Sequence, residues 1–143
     1  MKNARSRSAV MKSLNIEIEG TLCSGLGEGA RFTQLALAAR EFREKLGFTP
    51  YPGTLNLMLS GPAGAAARSR LQQAAGIAIV PPSGFCAAKC FPVTVNGRIE
   101  GVVVLPEVDD YPADKFEVLA PVGLRRELGL CDGDAVRLRL EIE

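Results

Sequence analysis

Thr54 and Asn56 form the first polar pattern in this sequence that could take part in a reaction. Side chains alternate between the two faces of a β-strand, so Thr54 and Asn56 would share one face and Leu55 and Leu57 the other. A hydroxyl and an amide oxygen suit Mg²⁺, which takes its remaining ligands from water and substrate phosphates. Spacing alone favours the simpler alternative, two polar residues on a solvated sheet face.

Glu117 is the second candidate, because Phe116 and Val118 on either side of it would face the opposite way in a strand. A carboxylate on the open side of such a strand can accept a proton from a substrate hydroxyl. Taken alone, the pattern favours an outward charge that keeps the sheet face hydrated.

Two further segments have the composition of anion sites. Residues 24–29 read SGLGEG, and glycines let backbone N–H groups approach a phosphate. The loop lacks the motif of a P-loop or a dinucleotide fingerprint, so by itself it favours a plain turn. Pro121 is typical of a first helical turn, whose N–H groups attract anions, and Arg125 would add a forked donor. The alternative there is an ordinary amphipathic helix with surface arginines.

Composition limits the function classes. The chain has 143 residues, with 17 Lys and Arg against 16 Asp and Glu. This balance argues for neither a nucleic acid nor a membrane as partner. There is no His, so any catalysis depends on other groups. We expect a disordered basic tail over residues 1–12, one domain over 13–143, and a cytoplasmic monomer with reduced cysteines.

The periodicities predict mainly strands. Alternation predicts strands near residues 14–19, 54–59, 77–80, 115–119 and 135–142, and Asn96-Gly97 predicts a type I′ hairpin between 91–95 and 99–105. Helices are predicted over 32–46, over 63–75 and from Pro121. No strand–helix–strand repetition occurs. We therefore expect a small closed six-stranded β-barrel with helices on its loops.

Several motifs in order resemble the archaeal CTP-dependent riboflavin kinase family. They are SGLGEG at 24–29, LGF at 46–48, PYPGTLNL at 50–57, FEVLAP at 116–121, LR at 124–125 and LCDGD at 130–134. The resemblance covers most of residues 14–142 and is weakest over 60–90. It implies a six-stranded cradle-loop barrel that uses CTP to make flavin mononucleotide (FMN) and CDP from riboflavin.

The resemblance also implies roles for individual residues. It implies one Mg²⁺ ion held by Thr54 and Asn56, and a contact between Glu117 and the flavin side. We add the hypothesis that Glu117 orients or deprotonates the attacking hydroxyl. The residues that would bind the nucleotide are Gly25, Leu26, Gly27, Glu28, Gly29, Ala30, Val122, Gly123, Leu124 and Arg125.

Two positions depart from the family pattern. Asp109 stands where family members carry a flavin-contacting Thr, and Ala30 stands where Arg is frequent. A carboxylate at position 109 would suit another acceptor or a positively charged substrate. The sequence thus leaves two alternatives to riboflavin phosphorylation: a CTP-dependent kinase of another small alcohol, or a barrel that binds nucleotide or flavin without turnover.

Overall fold

The fold is a closed β-barrel, seen in a computed structural model that describes residues 14–23, 40–51, 54–59, 61–79, 87–107 and 114–142. Its strands form one antiparallel sheet in the order β3-β4-β5-β6-β2-β1-β7. A further pairing between β4 and β7 joins the sheet into a ring of six, with β3 as an extra edge strand. The predicted six-stranded barrel is therefore confirmed.

The described element bounds follow the predicted pattern with shifts of up to four residues, and the predicted first part of the helix over 32–46, residues 32–39, lies outside the described residues. The strands are β1 (Leu14–Cys23), β2 (Leu55–Met58), β3 (Ile77–Ile79), β4 (Ala88–Val95), β5 (Ile99–Pro106), β6 (Lys115–Leu119) and β7 (Ala135–Ile142). The helices are α1, described over residues 40–46, α2 (Pro62–Gln73) and α3 (Leu124–Leu128).

Strict alternation of residue types gives the barrel its solid interior. In β7 every second residue from Val136 to Ile142 is buried, while the residues between them are exposed. The same alternation places Leu55 and Leu57 of β2 and Phe116 of β6 in the core. Because an interior filled by side chains leaves no room for a ligand, polar chemistry must lie on the outer face.

A hairpin turn and a side-chain bond help to close the ring. Asn96 and Gly97 both have positive φ, 51° and 66°, which confirms the type I′ turn between β4 and β5. The Asn96 side-chain oxygen accepts a bond from the Arg137 N–H, and the Asn96 N–H donates to the Arg137 carbonyl, each at 2.8 Å. The turn therefore fastens the hairpin to β7, where the barrel closes.

A second apolar layer covers part of the outer face. Phe42 of α1 packs there with Ile79, Val102, Val104 and Leu119. Gly47 ends α1 with a φ of 83°, as predicted for a helix C-terminus. This layer leaves the neighbouring part of the outer face, over β2 and the start of β6, for polar side chains.

The predicted start of the last helix, at Pro121, is wrong. Pro121 lies in a bend, and α3 begins only at Leu124 after Gly123 and has five residues. Buried Leu124 belongs to the core, which fixes the helix start three residues later than the proline signal. So short a helix has little dipole to offer an anion.

The predicted tail, residues 1–12, lies outside the described part of the chain. Within the part that is described, no helix has both the length and the apolar character needed to cross a membrane.

Lys89 fastens the end of α2 to β4. Its ammonium group donates to the carbonyls of Gln72 and Ala74 at 2.9 Å and of Leu71 at 3.4 Å. These carbonyls belong to the last turn, where a helix lacks its own donors.

We expect Lys89→Met to lower the free energy of unfolding by about 1–3 kcal/mol, because charged hydrogen bonds to a helix end are lost. Lys45→Met is the matched control, since the Lys45 ammonium is more exposed and donates to one carbonyl, that of Ala78. Lys45→Met should lower the free energy of unfolding by less than about 1 kcal/mol. Urea unfolding followed by circular dichroism checks both, and equal effects would contradict this role of Lys89.

Candidate active site

A row of side chains crosses four strands on the outer face of the barrel. Cys23 of β1 is the register partner of Asn56 in β2, Asn56 is the partner of Glu117 in β6, and Glu117 is the partner of Val104 in β5. Directly opposite residues of neighbouring strands share a face and lie close together. The register therefore brings together two of the sequence-predicted site residues, Asn56 and Glu117.

The burial of Asn56 and Glu117 excludes the alternative that they are ordinary polar residues on a hydrated sheet face. Asn56 is 3% exposed and Glu117 is 2% exposed, so neither lies on a solvated sheet face. The expectation that Glu117 would lie on an open side of the strand is wrong in this respect. Burying an amide and a carboxylate costs free energy unless partners compensate them. Both residues have interaction partners, as that cost requires.

Lys115 is a site residue that the sequence reasoning missed. Its ammonium nitrogen lies 3.7 Å from Oε2 of Glu117, and its side chain is only 16% exposed. The two residues are two apart on one strand, so their side chains share a face. The spacing of these two residues was visible in the sequence. It indicates a site only once the face of β6 that carries them is known to be buried.

An arginine from α2 fixes the backbone at Lys115. Arg68 is buried, and its Nη1 donates to the Lys115 carbonyl at 3.2 Å. The guanidinium also borders a cavity of about 420 Å³ between α2 and the residue before β6, Asp114. This cavity contains none of the sequence-predicted site residues. Arg68 contributes to the site by supporting the start of β6, where it bonds to the Lys115 carbonyl.

Cys23 ends β1 beside this row. Its thiol donates to the backbone carbonyl of Asn56 at 3.5 Å. Burial raises the pKa of the Cys23 thiol, while the positive charges of Lys115 and Arg125 lower it and the carboxylate of Asp132 raises it. The strand end therefore lies within electrostatic reach of basic groups from β6 and α3.

The turn at 132–134 holds the end of β1 in place. The Leu22 N–H donates to the Asp134 carbonyl at 2.9 Å, and the Gly133 N–H donates to the Leu22 carbonyl at 2.7 Å. Arg125, predicted as a phosphate donor, has its Nη2 2.6 Å from Oδ1 of Asp132. Both side chains are about half exposed, so an incoming anion would compete with Asp132 for the guanidinium.

The remaining described candidates lie immediately before β2 and at the start of α3. Thr54 immediately precedes β2 and is half-buried. Val122 and Gly123 form the bend before α3 and are half-buried, and Leu124 anchors that bend in the core.

The rest of the predicted site lies outside the described residues. It consists of the flavin-side position Asp109 and of Gly25, Leu26, Gly27, Glu28, Gly29 and Ala30 in the glycine-rich loop. The described chain leads directly to that loop, because it follows Cys23.

The donor chemistry decides which metal these residues fit. Within the described ranges, no cluster of three or more Asp, Glu, Cys or His could hold an ion. Thr54 and Asn56 supply neutral oxygens, and Glu117 lies opposite Asn56. Such a sparse set of oxygens fits Mg²⁺, which keeps waters and completes its shell with phosphates, and does not fit zinc.

Fold and site together define a closed six-stranded barrel with a buried polar row on its outer face. The family model for the CTP-dependent riboflavin kinase domain, described as "Domain of unknown function DUF120", matches residues 22–140. The match covers most of the chain, and the chain belongs to this family.

Curated relatives agree with this membership. A riboflavin kinase of Archaeoglobus fulgidus is 43% identical over 129 residues, which is 87% of this chain and 54% of that protein. One of Methanosarcina acetivorans is 40% identical, over 88% of this chain and 54% of its own length. One of Aeropyrum pernix is 41% identical, over 85% of this chain and 93% of its own. The chain thus spans about half the length of the first two.

The described cysteines should differ in reactivity toward iodoacetamide at pH 8. Cys131 is exposed and should react first, Cys23 should follow, and Cys90 should react last. Burial raises the pKa of the Cys90 thiol to about 12, so roughly one thiol in 10⁴ is ionised at pH 8. A raised pKa means less thiolate, and raising the pH should speed the slow sites.

Peptide mass spectrometry after timed alkylation measures this order. Urea-unfolded protein is the control, because all three thiols should then react at similar rates. Equal rates for Cys23 and Cys131 in the folded protein would contradict the described burial of the β1 end.

Proposed function

We propose that this chain transfers the terminal phosphate of CTP to the ribityl 5′-hydroxyl of riboflavin, giving FMN and CDP. The observation that carries the proposal is the burial of Asn56 and Glu117 opposite each other, in a chain of the CTP-dependent riboflavin kinase family. The riboflavin kinases among the relatives support the same acceptor.

Phosphoryl transfer makes few covalent demands on a protein. It requires in-line positioning and neutralised charge on the phosphoryl oxygens, which suits a chain without His. We assign the nucleotide to the glycine-rich loop at 25–30 and to the segment at 122–125. Thr54 and Asn56 would hold Mg²⁺, which when bound would neutralise charge on the phosphates.

We assign the acceptor hydroxyl to Glu117. Its carboxylate accepts the hydroxyl proton as the oxygen bonds to the γ-phosphorus and the bond to the bridging oxygen of CDP breaks. Lys115, at 3.7 Å from Glu117 Oε2, keeps this carboxylate in place and compensates its burial. The pair therefore combines an acceptor of protons with the positive charge that holds it.

One assay tests the activity. The protein is incubated with Mg²⁺ and each of the four nucleoside triphosphates, with and without riboflavin, and FMN and the nucleoside diphosphate are measured. CTP with riboflavin should give equal amounts of FMN and CDP. CTP binding without FMN would favour another small alcohol as acceptor, and the Asp109 position supports testing that case. Binding without CDP in any mixture would favour a non-catalytic barrel.

Glu117→Gln should lower kcat by roughly 10²-fold or more, because the amide cannot accept the hydroxyl proton. Glu100→Gln is the matched control: Glu100 is an exposed carboxylate on β5, and its variant should keep the wild-type rate. Steady-state FMN formation measures both. An unchanged kcat in folded Glu117→Gln would remove the proposed proton-accepting role.

A further inference from the structure

Tyr51 covers the bend that leads to α3. It is 42% exposed, one of two large apolar residues with such exposure among the described residues. Its N–H donates to the carbonyl of Ala120 at 2.8 Å. A Cβ atom built on Gly123 would lie 3.0 Å from the ring carbon Cζ, 3.2 Å from Cε2 and 3.4 Å from Cε1.

These three distances fix how the ring meets the glycine. An atom in the ring plane beyond Cζ would be much closer to Cζ than to Cε1 and Cε2, and it would overlap the hydroxyl oxygen. Nearly equal distances to three successive ring carbons instead place the Cβ position of Gly123 over the face of the ring. One face of Tyr51 therefore rests on the backbone at Gly123.

Backbone conformation gives no reason for a glycine at position 123. Its φ of −75° and ψ of 105° are open to any residue. The ring is the nearest group that a side chain there would meet, and a methyl group would require the ring to move by a few tenths of an ångström. Tyr51 and Gly123 are thus a fitted pair that joins the chain entering β2 to the bend preceding α3.

We propose that Tyr51 is a positioning residue for the nucleotide. Through Gly123 and Ala120 it holds the segment at 122–125 at a fixed place relative to Thr54, which follows Tyr51 by three residues. This inference rests on the proposed function, since it assigns the nucleotide to that segment. It predicts that substitutions in the Tyr51–Gly123 pair change the KM for CTP more than the KM for riboflavin.

A double-mutant cycle tests the pair. Tyr51→Ala should raise the KM for CTP on the order of tenfold, with little change in the KM for riboflavin. Gly123→Ala should raise it by less, because the exposed ring can yield to the added methyl group by a few tenths of an ångström. The double variant should be no worse than Tyr51→Ala alone, because the added methyl group then meets no ring. Tyr51→Phe keeps the ring and should restore a KM close to that of the wild type.

The readouts separate this inference from the proposed function. Calorimetry of CTP binding with Mg²⁺ and thermal unfolding are measured on the wild type and all four variants. A wild type that neither binds CTP nor forms FMN would overturn the proposed function. An active wild type whose variants keep their KM for CTP, lose only thermal stability, or show multiplying effects in the double variant would overturn the role of Tyr51.

Discussion

Burying a carboxylate requires that positive charge or hydrogen-bond donors replace the water it loses. On the outer face of this barrel part of that replacement comes from Lys115, two residues from Glu117 on the same strand. Arg68 in turn holds the backbone at Lys115 from α2. This chain of contacts links α2 through Lys115 to Glu117 and helps to hold the polar row in place.

The barrel and the site use opposite faces of the same strands. In β2, Leu55 and Leu57 fill the interior while Asn56 faces outward, and in β6 Phe116 and Glu117 divide in the same way. Strand register then sets the distance between functional groups, since a slip of one residue would exchange the two faces. Closure through β4 and β7 keeps that register, because it removes the free edges at which strands could slide.

The sequence predicted those features of the fold that depend on neighbouring residues alone. Alternation gave β6 and β7 their bounds, and Asn96-Gly97 gave the turn, since both depend on backbone preferences of a few residues. The burial of Asn56 and Glu117 depends on what covers the outer face, and no short pattern contains that information. Pro121 misled for a similar reason, because tertiary packing of Leu124 decided where α3 begins. The role of Lys115 also required the fold, since a lysine near a glutamate is ordinary on a solvated strand.

β1 has two different neighbours along its length. Its first eight residues pair with β7, and its last three pair with β2, with Thr21 common to both. The same strand thus pairs along most of its length with β7, one of the two strands that close the barrel, and carries Cys23 of the polar row at its end. The place of Cys23 in the row therefore depends on two sets of pairings, those of β1 with β7 and those of β1 with β2, and a slip in either would move the Cys23 side chain away from Asn56.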